Sequence, residues 1–270
     1  MEAPAPATTD ESAWHTFQSA VLRLAGVDLR AYKERQMRRR LGNLMQRLGV
    51  RDWLDFVRVL RQDPAALRAF QEFFTINVSE FFRQPEKFQL LDRDYLPALL
   101  RERSSLRIWS AGCSNGAEPY SIAMLLARRT PGARHTIVAT DIDARILGVA
   151  RAGGPYTEAD VRNVPPDLRQ RFLEPVDGGY RVKESLRRAV DFRLHDMLRE
   201  PPPARDFDLI VCRNVVIYFT EEAKRQVYET LQAALRPGGL LFVGATEVIL
   251  NARQFGLNVS APSFYLRAAA

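Results

Sequence analysis

The sequence predicts an open α/β sheet preceded by an all-helical segment, and three observations predict it. From Leu106 onward short apolar runs alternate with helical stretches. Before residue 76 the apolar residues recur only at helical spacing, and a loop of small residues joins the first apolar run to the helix after it. Such alternation builds a mostly parallel sheet covered by helices on both faces. With 270 residues, 46% of them hydrophobic, the chain can fill that core and a smaller accessory one.

The elements follow in order. Residues 1–10 read as a disordered, Ala/Pro/Thr-rich tail without the basic start and apolar stretch of a secretion signal, and no run approaches the ~18 apolar residues of a membrane span. A helical domain is expected over 11–76, with helices at 12–25, through the basic segment, at 51–61 and at 64–75. Asp63-Pro64 supplies an N-cap and a proline at the first helical position. Residues 77–105 read as a linker and connecting helix, and 106–270 as the α/β domain. Its strands are RIWSA, TIVATD, VDFRLHD, FDLIVCRN and LLFVGAT, and the tail FGLNVSAPSFYLRAA supplies two more, the last as an antiparallel edge. Arg236-Pro237-Gly238-Gly239 is expected to close a helix before the fifth of these strands. Residues 153–187 interrupt the alternation as an inserted β-subdomain, in which Asp177-Gly178 turns a hairpin that is either decoration or a docking edge.

Charge is concentrated. The formal net charge is +7, and residues 30–51 hold Arg30, Lys33, Arg35, Arg38, Arg39, Arg40, Arg47 and Arg51 against Glu34 alone, so the remainder of the chain is neutral. Met37, Leu41, Leu44 and Leu48 give this segment an apolar stripe with arginines opposite, which suits an acidic macromolecular partner or a plain solvated face. Cys113 and Cys212 end apolar strands, as buried reduced thiols of a cytoplasmic protein do, and no zinc spacing is present.

The loop after the first strand, Ala111-Gly112-Cys113-Ser114-Asn115-Gly116, lets backbone approach a ligand, and Asp141 and Asp143 end the second strand where a carboxylate takes both hydroxyls of a ribose. The spacing is not G-x-G-x-x-G, and no P-loop occurs. Glu118 stands where phosphate binders offer positive charge, so a cationic nucleoside, S-adenosylmethionine above all, fits best.

Several motifs taken in order are similar to the chemotaxis receptor methyltransferases, the CheR family, which esterify chemoreceptor glutamates with S-adenosylmethionine. They are Asn77-Val78-Ser79-Glu80-Phe81-Phe82-Arg83, Ser110 to Ser121, Thr140-Asp141-Ile142-Asp143, Phe192 to Met197, Cys212 to Phe219 and Gly244-Ala245-Thr246-Glu247. The resemblance implies a class I S-adenosylmethionine-dependent methyltransferase fold, Rossmann-like with a mostly parallel seven-stranded sheet, an N-terminal all-α bundle and a small β-hairpin insertion. It implies that Asn77, Ser79 and Arg83 reach the cofactor from the junction, with Ala111 and Gly112 in the loop beside it. Glu118 would lie near its amino-acid end, Asp141 on the ribose, Asp196 and Met197 at the adenine, Arg213 and Asn214 beside the ligand, and Tyr218 near the transferred methyl; Arg83 and Tyr218 are the candidate donors that orient the incoming carboxylate or the cofactor. Arg35, Arg38, Arg39, Arg40 and Arg47 would meet the glutamate-rich cytoplasmic helical bundle of the receptor. Ser79 stands where threonine is usual, and Ala117 replaces a common glutamate.

Two other readings compete. The basic segment suits a nucleic-acid methyltransferase, but the chain lacks an Asn-Pro-Pro-Tyr or Asp-Pro-Pro-Tyr segment, a cysteine pair for pyrimidine chemistry, and basic residues interleaved with aromatics. A cofactor-bound adaptor without turnover is the second. The expectation is a monomeric cytoplasmic enzyme with no nucleic-acid partner, no membrane insertion and no metal, which turns S-adenosylmethionine into S-adenosylhomocysteine. The tight turn LEPVDGGY favours recognition of the receptor body over a tethered peptide.

Overall fold

The computed structural model describes residues 7–75 and 79–269. Contacts divide the chain into two units, Met1–Ile76 with Tyr218–Lys224, and Asn77–Ile217 with Arg225–Ala270.

In the first unit, α1 (Ala7–Ala25), α2 (Glu34–Leu48), α3 (Trp53–Gln62) and α4 (Pro64–Phe74) pack around an aromatic core of Trp14, Phe17, Trp53, Phe56, Phe70 and Phe74. Asp63 caps α4 through the Ala65 N–H at 2.7 Å, with Pro64 at the first helical position. Residues 7–10 are helical, which corrects the expected tail; residues 1–6 lie outside the described residues. The extra turn has a physical cause, because Asp10 and Glu11 both accept hydrogen bonds from Arg38 on α2, at 2.8 and 3.0 Å. The segment after Ile217 joins this unit through backbone pairing, with Lys33 N–H on the Tyr218 carbonyl and Thr220 N–H on the Ala31 carbonyl, both at 2.9 Å.

The second unit begins with α5 (Pro85–Leu90) and α6 (Leu96–Glu102), joined by a π turn over Leu91–Tyr95. There follow β1 (Arg107–Ala111), α7 (Ala117–Arg129), β2 (Thr136–Asp141), α8 (Ala144–Ala152), α9 (Glu158–Val161), α10 (Pro166–Phe172), β3 (Leu173–Val176), β4 (Gly179–Val182), α11 (Glu184–Arg187), β5 (Val190–Leu194) and β6 (Phe207–Cys212). Then come α12 (Glu221–Ala234), β7 (Leu235–Val243), β8 (Leu257–Ala261) and β9 (Phe264–Arg267). The seven-stranded sheet runs β5-β2-β1-β6-β7-β9-β8, parallel except where β9 meets β7 and β8. Strand order reverses between β1 and β6, so their carboxyl ends frame the crevice where open α/β sheets hold ligands. The β3–β4 hairpin stands apart as a two-stranded sheet. No described helix is long and apolar enough to cross a membrane.

Two expectations are corrected. The last strand is interior and β8 is the edge, because Phe264 and Tyr265 of β9 are buried whereas Asn258, Val259 and Ser260 of β8 are exposed. The Arg-Pro-Gly-Gly segment lies within β7 instead of closing α12, and the left-handed Gly238 (φ 71°) falls inside the strand. Arg236 holds it there. Its Nε donates to the wholly buried Asp208 at 2.6 Å, and its Nη2 donates to Glu102 at 2.6 Å.

Asp208 also accepts the Arg107 N–H at 2.8 Å, so this carboxylate joins β1, β6 and β7 at one end of the sheet. Removing one partner of a buried pair leaves the other charge uncompensated. Asp208→Ala is expected to lower stability by about 3–5 kcal/mol, as urea unfolding followed by circular dichroism would measure.

Candidate active site

The crevice is built from loops that leave the central strands. After β1 the chain turns at Gly112 (φ 78°), and the N–H groups of Gly112 and Cys113 donate to the Thr140 carbonyl at 2.8 and 2.9 Å. A Cβ on Gly112 would lie 2.5 Å from Val215 Cγ2, so the loop after β1 closes directly onto the loop after β6. Ala111 is wholly buried beneath it. Ser114, left-handed at φ 50°, donates its N–H to Asp141 Oδ2 at 2.8 Å, and Asp143 donates its N–H to Oδ1 at 3.0 Å. Each Asp141 oxygen therefore accepts one of these bonds and has further acceptor capacity. Burial pushes the Asp141 carboxyl above its ordinary value, the two N–H groups pull it back, and the Asp143 charge adds to the rise.

Glu118, in the first turn of α7, is buried. Its Oε1 accepts from the Ser110 hydroxyl at 2.8 Å, and its Oε2 lies 3.5 Å from Arg213 Nη1. Burial raises the Glu118 carboxyl, opposed by the Arg213 charge and the Ser110 bond; burial likewise lowers Arg213. The Arg213 side chain is 2% exposed. Its guanidinium stacks on Phe88 and Phe242, 5.2 and 4.6 Å from the ring centres, and Nη2 donates to the Arg83 carbonyl at 2.7 Å and to Gln84 Oε1 at 2.8 Å. A planar cation suits that slot, since its faces meet aromatic rings while its edge supplies hydrogen bonds.

The junction segment is fixed by the same core. Phe81 and Phe82 are buried, Phe82 N–H donates to the Ser121 hydroxyl at 3.0 Å, and Glu80 pairs with Arg162 at 2.7 Å. Ser79 and Arg83 are half-buried, and Asn77 lies outside the described residues. At the end of β5, Asp196 Oδ1 accepts the Leu198 N–H at 2.9 Å, so Asp196 and the half-buried Met197 open a self-capped turn. Asn214 is left-handed at φ 61°. Its Oδ1 and the Ser114 hydroxyl are buried with no hydrogen-bond partner among the described residues.

Tyr218 groups with the helical unit. The arginines of α2 do not share one role, and the single outward basic face expected from the sequence is corrected. Arg38 binds Asp10 and Glu11, lies 2.8 Å from Glu34 and covers the Trp14 ring; Arg40 donates to the Phe73 carbonyl at 2.5 Å, and both Arg40 and Arg47 stack on Phe73. Arg35 and Arg39 are exposed, with no ion pair among the described residues. Sequence reasoning missed Gln84, which grips Arg213, and gave Glu247 no role.

Comparison with known proteins agrees in both units. A family model described as "CheR methyltransferase, SAM binding domain" matches residues 77–263, and one described as "CheR methyltransferase, all-alpha domain" matches residues 12–75. The chemotaxis protein methyltransferase of Listeria innocua is 38% identical over 252 residues, covering 93% of this chain and 95% of its own. Chemotaxis protein methyltransferase 1 of Pseudomonas aeruginosa is 33% identical over 247 residues, covering 87% and 89%. The chemotaxis protein methyltransferase of Vibrio parahaemolyticus is 34% identical over 248 residues, covering 89% and 90%.

The Gly112–Val215 approach leaves no room for a side chain at a left-handed position. Gly112→Ala is expected to cost about 1–3 kcal/mol of stability, measurable by the urea midpoint at constant slope.

Proposed function

The chain belongs to the CheR methyltransferase family and is an S-adenosylmethionine-dependent chemotaxis methyltransferase; from its site we propose that it esterifies glutamate carboxylates on the cytoplasmic helical bundle of chemoreceptors, giving glutamyl 5-O-methyl esters and S-adenosylhomocysteine. The observation that carries the reading is the buried Glu118 carboxylate in the first turn of α7, across a glycine turn from Asp141. The residues fit the cofactor chemically. Glu118 suits its ammonium and Asp141 the ribose hydroxyls, with Gly112 and Ser114 backbone beside them and Asp196 and Met197 at the adenine. When bound, the cofactor supplies an electrophilic methyl on a sulfonium.

The chain's own work is positioning. A glutamate with an ordinary pKa of about 4.3 is already anionic at neutral pH, so no general base is required. Arg83 serves as a donor that orients the incoming carboxylate without taking a proton, with Ser79 on the same junction segment. Arg213 acts through others, because its guanidinium is occupied by Phe88, Phe242, Glu118, Gln84 and the Arg83 carbonyl. Holding carboxylate and methyl in line while excluding water accounts for the acceleration.

Arg35 and Arg39 supply the charge that meets glutamate-rich receptor helices. Nucleic acid fits less well, since α2 carries no aromatic residue to stack on a base. Backbone pairing in the hairpin favours recognition of the receptor body over a tethered peptide. Tyr180 exchanges both backbone bonds with Tyr156, and Val182 N–H donates to the Gly153 carbonyl, so the outer edge of β4 is occupied. Pro175, opposite Tyr180 in the register, faces outward on β3 and has no N–H to offer an added strand.

The test is transfer of labelled methyl from S-adenosylmethionine to receptor-containing membranes. Label on receptor bands that mild alkali releases as methanol is expected; label on nucleic acid, or none, overturns the reading. Combined neutralisation of Arg35 and Arg39 is expected to raise receptor KM by about tenfold and leave S-adenosylhomocysteine affinity unchanged. An unaltered receptor KM would remove α2 from recognition.

Acidity supplies a further check. Asp141 and Glu118 titrate above their ordinary values of 3.8 and 4.5 in the folded chain. Protonation on acidification therefore favours the folded state over the unfolded one at these two groups, while it removes the charges the ligand needs. As the pH falls toward the ordinary carboxylate range, S-adenosylhomocysteine affinity is expected to fall, starting above the ordinary values of 3.8 and 4.5, without unfolding driven by these carboxyls. Calorimetric titration beside thermal melting measures both, and constant affinity would reject the assignment.

A further inference from the structure

We propose that Glu247 is a positioning residue for the methyl-transfer site, with its carboxylate holding the Asn214–Val216 turn against the loop after β1. The inference rests on the functional reading above and adds a residue to which that reading gives no role.

Glu247 is 3% exposed, yet no cationic side chain among the described residues is bonded to it. Its partners among the described residues are all backbone donors. Oε1 accepts the N–H groups of Val215 at 2.8 Å and Val216 at 2.9 Å, and Oε2 accepts those of Asn214 at 2.6 Å and Gly244 at 2.8 Å. The carboxylate thus takes two donors at each oxygen, filling the acceptor sites it has. An amide in its place would turn an NH2 group toward two N–H groups. Burial pushes the Glu247 carboxyl up, and the same four donors pull it back.

The turn it holds does not stand by itself. Asn214 occupies the left-handed region (φ 61°), which an asparagine adopts at some cost, and three successive N–H groups point to one spot. Val215 is the side chain that meets Gly112 across the crevice. Asn214 Oδ1 is buried with no hydrogen-bond partner among the described residues. The carboxylate is in turn fixed on its own side. Glu247 N–H donates to the Gly244 carbonyl at 3.0 Å, Ile249 N–H donates to the Tyr265 hydroxyl at 3.0 Å, and a Cβ on Gly244 would sit 2.5 Å from Oε2. A short turn after β7 therefore sets the wall formed after β6.

The experiment uses full-length Glu247→Gln beside the wild type. Expected are a folded variant by circular dichroism, faster hydrogen exchange at the Val215 and Val216 amides, S-adenosylhomocysteine affinity weaker by about tenfold or more, and a raised KM for S-adenosylmethionine with receptor KM unchanged. A merely unfolded fraction would lower kcat and move neither KM. A folded variant whose affinity stays within about twofold of wild type overturns the proposal. Wild-type protein that binds no S-adenosylhomocysteine overturns the functional reading and this inference with it. Should Glu247→Gln not fold, exchange in the cofactor-free wild type decides: protected Val215 and Val216 amides support the proposal, and exchange at the rate of an open loop overturns it.

Discussion

One buried guanidinium organises the candidate site. Arg213 follows β6 at the point where strand order reverses, and its side chain is only 2% exposed. Its position is tenable only because Phe88 and Phe242 cover its faces while Glu118, Gln84 and the Arg83 carbonyl meet its edge. Those partners come from α5, β7, α7 and the junction segment, so satisfying one charge draws four parts of the chain to the carboxyl end of the sheet. The left-handed Gln84 brings its side-chain oxygen to the same Arg213 nitrogen as the preceding Arg83 carbonyl.

Of the two acidic groups nearest the crevice, Glu118 is buried and Asp141 half-buried, and both are raised, whereas Arg35 and Arg39 of α2 are exposed. The two regimes suit two jobs. A carboxylate with little solvation gains strongly from a cationic partner that replaces the missing water. A solvated arginine contributes little to any single contact but steers an acidic partner at long range and in a salt-dependent way.

Much of the fold was legible in the sequence. β1 and β2 coincide with RIWSA and TIVATD because both are apolar runs that end abruptly in small or acidic residues, and the hairpin turn was legible in Asp177-Gly178. What periodicity could not give was pairing between distant residues. The β8–β9 order depends on which strand buries more against β7, and the position of Arg236 depends on Asp208, which is 28 residues away. The roles of the α2 arginines were hidden for the same reason. Spacing places Arg38 and Arg40 on a polar face, but the acids of α1 and the Phe73 carbonyl decide what they do there. Glu247 was least visible, because its partners are backbone N–H groups that carry no sequence signature.

The chemistry explains why so much of this site is devoted to geometry. Methyl transfer neutralises a carboxylate, so a cation that binds the carboxylate strongly in the ground state loses part of that attraction on the way to the ester. Strong charge pairing with the acceptor would therefore slow the reaction. A productive site must hold the carboxylate by direction more than by charge. The arrangement around Arg213 meets that condition: its guanidinium is enclosed by protein partners and is not the cation offered to an acceptor. Backbone turns such as those at Gly112 and at Asn214–Val216 can align groups without adding a charge that traps the substrate.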